Sequence, residues 1–202
     1  MKTKNRNPAL LLHGKKVDPL IEFYFELNHL KQLFRQGWLL KGIPEDKCES
    51  VADHLFGSAI LTLIIADTYY QSLNVPKLLK MVLIHELGEI YIGDVTPHDR
   101  IDKKTKHEWE YKAVIEIFSK IPNGGQYITL WKEYEEGATP EAQLIRQIDI
   151  LEAVFQATVY RLQYNNDKIV EFFPWTRKRL KDKTLLKLFN ELWQIYNSTN
   201  QK

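Results

Sequence analysis

The 202-residue chain is predicted to fold as one all-α domain of the helical type, and three observations lead there. Apolar residues recur at three- and four-residue spacing along most of its length. Helix-capping residues and prolines punctuate those periodic stretches. No convincing run alternates apolar with polar residues as a half-buried strand does. The length suits one sizeable core, and no internal repeat, low-complexity tract or interdomain linker divides it.

Residues 1–17 read as an N-terminal extension expected to be flexible, with the helical domain spanning 18–202 and including the C-terminal helices. "DPLIEFYFELNHLKQLFRQG" carries helical periodicity as far as Gly37, a suitable C-terminal cap, and "WLLKGIPEDKCE" then reads as a loop. Ser50 is expected to cap a helix running through Asp67 or beyond, and Pro76 to occupy the first turn of the next. That next helix is predicted to run unbroken to Gly93, followed by the turn-rich "GDVTPHDR" and a polar-faced helix from about Lys103 to Lys120. Thr139 and Pro140 open a long helix, "TPEAQLIRQIDILEAVFQATVYRLQ". In "WTRKRLKDKTLLK" the basic residues read as a solvated helix face opposite Leu180, Leu185, Leu186 and Leu188, and Trp131 and Tyr134 as packing residues.

Hydrophobic residues at 44% and charged residues at 27% lie near the averages for soluble globular proteins. A net charge of +2 is too small to imply a nucleic-acid partner. The longest apolar run, Ala59 to Ala66, is far short of the ~20 residues of a membrane span, and "ALLL" is too short for the ~7–15-residue core of a signal peptide. No membrane association and a cytoplasmic location are therefore expected. Cys48, the only cysteine, excludes an intrachain disulfide and fits a reducing compartment.

The chemistry concentrates in "HELGEIYIGD", residues 85–94. From Leu78 to Ile92 apolar residues surround nearly the whole predicted helix, which is the mark of a buried one. Within it, His85, Glu86 and Glu89 are costly unless protonated, paired or bound to metal. On a continuous helix His85 and Glu89 share a face and Glu86 lies about 100° round. Alone, the motif is equally consistent with lysine-paired carboxylates and a core histidine. Two further residues change the balance. His54 sits beside Gly57 and Ser58, small residues that permit close approach of another backbone. Asp149 lies among Leu144, Ile145, Ile148 and Ile150, with Arg146 as its alternative partner. Together His54, His85, Glu86 and Asp149 offer two imidazoles and two carboxylates from three helices, a mixed set suited to a divalent transition metal with positions left open for water. The metalloprotease signature is not met, because Glu89 stands where a second histidine is required.

The order His54, His85-Glu86, Asp149 resembles the HD superfamily of metal-dependent phosphohydrolases, which are all-α proteins. "ESVADH", "HELGEIYIGDVTP", "LWKEYEEGATPEA" and "RQIDILEAVFQA" resemble the corresponding blocks of its 5'-deoxynucleotidase family, in the same order, over about residues 38–163. The resemblance implies hydrolysis of deoxynucleoside 5'-monophosphates with a divalent cation (Mn, Co, Zn, Fe or Mg) held by His54, His85, Glu86 and Asp149. It also implies that Glu89 and Asp94 act in catalysis, with a second ion as a further role for Glu89, Asp94 and the Val95 carbonyl. Trp38 falls where relatives contact the sugar, Glu49 belongs to the matching "ESVADH" block, and Arg146 is a phosphate contact or a salt-bridge partner of the site. The implied partner is a small nucleotide, and the implied assembly a homodimer. The chain departs from the family at Glu86, where an aspartate is usual, and at Gly37, where a bacterial branch has arginine. Two alternatives stay open: an HD phosphohydrolase acting on another nucleotide or a phosphodiester, and a non-catalytic nucleotide-binding HD protein weakened by Glu86.

Overall fold

The computed structural model describes residues 1–198, and its described residues form helices and connecting turns. The α-helices are α1 (Pro19–Leu27), α2 (Gln36–Leu40), α3 (Val51–Tyr69), α4 (Val75–Ile84), α5 (Glu89–Ile92), α6 (Lys103–Ser119), α7 (Gly125–Glu136), α8 (Pro140–Tyr164), α9 (Phe172–Arg177) and α10 (Lys183–Ser198). Only two isolated β-bridges occur among the described residues, Thr3 with Leu33 and Phe34 with Ser50.

Helix α8 is the axis of the fold, packing against α3, α4, α7, α9 and α10, while α3 and α4 pack on each other. Their shared apolar cluster includes Leu78, Met81, Ile145, Ile148, Leu151 and Leu185. A second cluster, with Leu30, Leu33, Val51, Val114, Ile117 and Trp131, joins α6 and α7 to the segments before α3 and after α4.

Capping chemistry explains the helices that begin where expected. The Ser50 hydroxyl accepts from the Asp53 amide and the Asp53 carboxylate accepts from the Ser50 amide, a reciprocal box that starts α3. Asn74 with Pro76 starts α4, Asp102 starts α6, and Thr139 with Pro140 starts α8. Helix α3, 19 residues with a mean hydropathy of 1.4, is long and apolar enough to cross a membrane. Here it lies against α4 and α8 and buries His54, Ser58 and Thr62 on its packed side.

Three expected elements differ. The first helix stops at Leu27 instead of Gly37: a 3-10 turn over Asn28–Lys31 follows, and the chain beyond it engages other segments. There the Gln32 carbonyl accepts from the Lys4 amide, the Leu33 carbonyl from the Val51 amide, and the Arg35 amide donates to the Glu49 carbonyl. Trp38, expected in a loop, lies within α2. The helix expected to run to Gly93 breaks at His85–Gly88. At the break the amide bonds shorten to i→i+3, as from Leu87 to Ile84 and Glu89 to Glu86. The His85 carbonyl accepts instead from the Trp131 indole N–H (3.0 Å), so a tertiary contact replaces a helical one. A Cβ on Gly88 would stand 3.1 Å from the Glu110 Cα, so the absence of a side chain there lets α6 press against the turn.

Candidate active site

The break in the helix places the side chains. His85 ends α4, Glu86 stands in the turn, and Glu89 opens α5, so the simple face arithmetic of an unbroken helix does not hold there. His54 comes from the second turn of α3 and Asp149 from the middle of α8. One ligand atom from each of His54, His85, Glu86 and Asp149 lies within 4.8 Å of the other three. His54 Nε2 is 3.0 Å and His85 Nε2 3.4 Å from Asp149 Oδ1, and His85 Nε2 is 3.7 Å from Glu86 Oε1. Donors about 2.0–2.2 Å from one ion are separated by about 3.0–3.5 Å along the edges of an octahedron or tetrahedron, so this spacing fits a shared cation.

The hydrogen bonds behind the imidazoles select the atoms turned inward. His54 Nδ1–H donates to Glu152 Oε2 (2.6 Å) and His85 Nδ1–H to the Val82 carbonyl (2.7 Å). A carbonyl only accepts, so Nδ1 of His85 carries the proton and Nε2 is left as the donor atom for a metal. His85 Nε2 is buried without a hydrogen-bond partner. The cluster therefore has the composition and spacing of a divalent metal site, with His85 Nε2 left open to the ion.

Its electrostatics are tightly balanced. Burial and the Arg35 charge press the His54 imidazole towards neutrality, but the hydrogen bonds to Asp149 and Glu152 outweigh them and raise its pKa to about 10. Asp149 is held well below the usual carboxylate range: burial opposes this, and the His54 hydrogen bond with the close imidazoles of His54 and His85 prevails. Glu89 is pushed the other way, well above that range, by burial and by the neighbouring charges of Glu86 and Asp94. Its Oε2 is buried and has no hydrogen-bond partner.

A cavity of about 350 Å³ opens beside the cluster, lined on one side by Glu86, Glu89, Asp94, Val95 and Asp149. Trp38 also lines it, with its indole N–H donating to Glu49 Oε1 (2.6 Å). Glu49 itself stands behind the ring, and burial together with Glu152 raises its pKa to about 7. Asp94 is held from two sides, Oδ2 accepting from the Gln36 amide and Oδ1 facing Arg35 Nη1 at 3.4 Å. Arg146 is placed elsewhere. Its guanidinium donates to the Tyr134 and Glu135 carbonyls at the end of α7, away from both Asp149 and the cavity lining.

Three residues of the site were not singled out from the sequence. Arg35 lies 3.7 Å from Glu86 and 3.4 Å from Asp94 and lines the cavity, as does Lys106 of α6. Neither carries a local signal: Arg35 is one cation without a motif around it, and Lys106 is one of several lysines on α6. Glu152 does carry one: it stands three residues after Asp149, on the same face of α8. It also explains Gly57, where a Cβ would meet Glu152 Oε1 at 2.8 Å. The small residue admits a carboxylate there, where close approach of a backbone was expected.

Comparison with known proteins agrees with this geometry. The family model described as "HD domain" matches residues 27–193. The 5'-deoxynucleotidase hdd1 of Schizosaccharomyces pombe is 33% identical over 189 residues, covering 91% of this chain and 93% of that one. The 5'-deoxynucleotidase HDDC2 of Danio rerio is 32% identical over 179 residues, covering 87% of each. A crystal structure of a Pyrococcus horikoshii OT3 protein superposes with a TM-score of 0.71 at 33% identity, covering 87% of this chain and 99% of that one. With the His-Glu-Asp cluster at the meeting of three helices and this likeness along most of its length, the chain belongs to the HD domain family, in the branch of the 5'-deoxynucleotidases.

Proposed function

We propose that the protein hydrolyses deoxynucleoside 5'-monophosphates to deoxynucleoside and phosphate, in a reaction that depends on a divalent cation. The observation that carries the reading is the convergence of His54, His85, Glu86 and Asp149 beside a cavity, in a chain similar to two proteins named 5'-deoxynucleotidase. These four side chains would hold the cation. When bound, it supplies Lewis acidity, lowering the pKa of water and drawing charge from the phosphate.

The remaining roles follow from placement. With a cation bound, its charge would offset those of Glu86 and Asp94 and keep Glu89 ionised, so that Glu89 orients the attacking water and takes its proton on Oε2, which has no hydrogen-bond partner. Arg35 and Lys106 bring positive charge to the acidic end of the cavity, where a phosphate dianion needs it. Asp94 positions Arg35, and Glu49 fixes the indole of Trp38 against which the sugar lies. Glu89, Asp94 and Val95 all line the cavity, which supports a second cation, held by the two carboxylates and the Val95 carbonyl, as a further part of the reading. Arg146 has a packing role at the end of α7.

The same reading places the enzyme in the cytoplasm as a homodimer. Buried, unpaired Cys48 fits a reducing compartment, and the exposed stripe Phe56, Ile60 and Ile64 on α3 supports self-association; light scattering tests the dimer. The function is tested by phosphate release from all deoxy- and ribonucleoside 5'-monophosphates, with Mn, Co, Zn and Mg supplied in turn. Turnover of deoxynucleotides above ribonucleotides is expected. Release only from other phosphate esters, or from none, overturns the substrate assignment.

A further inference from the structure

The far end of the cavity is aromatic, and the phosphate chemistry makes no use of it. Trp38 joins the two ends: its ring centroid is 4.1 Å from that of Phe172, at an interplanar angle of 36°. Phe172 and Trp175 stand three residues apart on α9, so they share a face of that short helix, and both line the cavity. Trp175 is 42% exposed, although burial is the usual fate of so large an apolar ring. It is also held in place. The Arg179 guanidinium lies 4.0 Å from the indole centroid and donates to the Trp175 carbonyl (3.0 Å). A cation against one face of an indole gains from the ring's quadrupole and fixes its plane.

We propose that Trp175, with Phe172 beside it, is the platform on which the nucleobase stacks. This rests on the deoxynucleotide reading and deepens it, by assigning the part of the substrate that the acidic end leaves unbound. With phosphate at Glu86, Asp149 and Arg35 and sugar at Trp38, the base is the planar, apolar-faced group that continues along the lining to α9. Polar groups at this end are Lys41 and Glu171, which pair with each other, and His98. Lys41 is mostly covered but its partner Glu171 is largely solvated, and one flexible ammonium with an exposed carboxylate is not a rigid donor and acceptor set for the edge of the base. Stacking accepts any base, because each has a π face. The subsite therefore tolerates all four bases, with purines favoured by their larger overlap.

The test compares full-length wild type, Trp175→Ala and Trp175→Phe on dAMP, dTMP and 2-deoxyribose 5-phosphate, which has the sugar and phosphate without a base. Trp175→Ala is expected to lower kcat/KM for the nucleotides roughly 5–100-fold, mostly through KM, the range that loss of one base-aromatic stack produces. Its effect on 2-deoxyribose 5-phosphate should stay within about twofold, and Trp175→Phe should recover most of the nucleotide activity. Calorimetric binding of deoxyadenosine, which has base and sugar but no phosphate, should weaken in parallel, which gives a readout independent of turnover. Equal losses on the baseless and nucleotide substrates, or no loss on either, overturn the base platform. Wild-type protein that releases phosphate from no deoxynucleotide overturns the deoxynucleotide reading itself. Wild-type turnover with an unaffected Trp175→Ala overturns only the platform.

Discussion

Glu152 touches no substrate, yet the account requires metal affinity to depend on it. Its Oε2 accepts the Nδ1–H of His54 at 2.6 Å in a buried setting, so it fixes both the rotation of the ring and the tautomer that turns Nε2 to Asp149. The bond strengthens when Nε2 gives electron density to a cation, because the ring N–H then becomes more acidic. Removing such a partner typically costs 10–100-fold in metal affinity, which is about 1.4–2.8 kcal/mol. Glu152→Ala is expected to fall in that range. Glu152→Gln should lose less than about tenfold, since an amide oxygen still accepts from Nδ1 while the charge is gone. Competition against a chromophoric chelator measures both, with circular dichroism and melting temperature to check that the variants fold. Folded Glu152→Ala protein with wild-type affinity would refute the claim that His54 is a ligand oriented from α8.

Other expectations bear on neighbouring positions. Gly57→Ala should act like a milder change at Glu152: a Cβ would lie 2.8 Å from Oε1 of the carboxylate whose Oε2 is bonded to His54, so overpacking is expected to cost about 1–3 kcal/mol of stability in chemical denaturation and to lower metal affinity as well. Glu89→Gln should reduce turnover roughly 10²–10⁴-fold while leaving metal affinity near wild type; equal turnover would remove Glu89 from the proton transfer. Glu86→Asp withdraws the carboxylate by roughly one C–C bond, about 1.5 Å, from a site already closed by glutamate. Metal affinity and turnover should both fall, and a clear gain in either would mean that Glu86 impairs the natural site.

The legible parts of the fold are those whose causes are local. Ser50 with Asp53, Asn74 with Pro76, and Thr139 with Pro140 carry their capping chemistry within four residues, and the helices they start begin where that chemistry places them. The break at His85–Gly88 was hidden because its causes are distant: the Trp131 indole takes the His85 carbonyl, and α6 presses on Gly88. The early end of α1 has the same origin, since residues 32–35 bond to Lys4, Glu49 and Val51 in place of extending a helix. In the site, the His54, His85, Glu86 and Asp149 quartet was readable as buried polar groups in apolar helices, and these four converge. Arg35 and Lys106 were not, because a single arginine or one lysine among several looks like surface until the cavity is seen. For Arg146 the proximity to Asp149 along α8 was misleading: the long side chain turns to the carbonyls ending α7, where a cation meets the negative end of that helix.

The most direct test of the account is phosphate release from dAMP by one preparation of the protein, first freed of metal by a chelator and then supplied with one equivalent of a divalent cation. The cation donors are built into the quartet, and the water and the phosphate both need its charge. Release should vanish on chelation and return on addition of the ion. Equal release by the metal-free protein, or none after loading, would contradict a metal-dependent deoxynucleotidase.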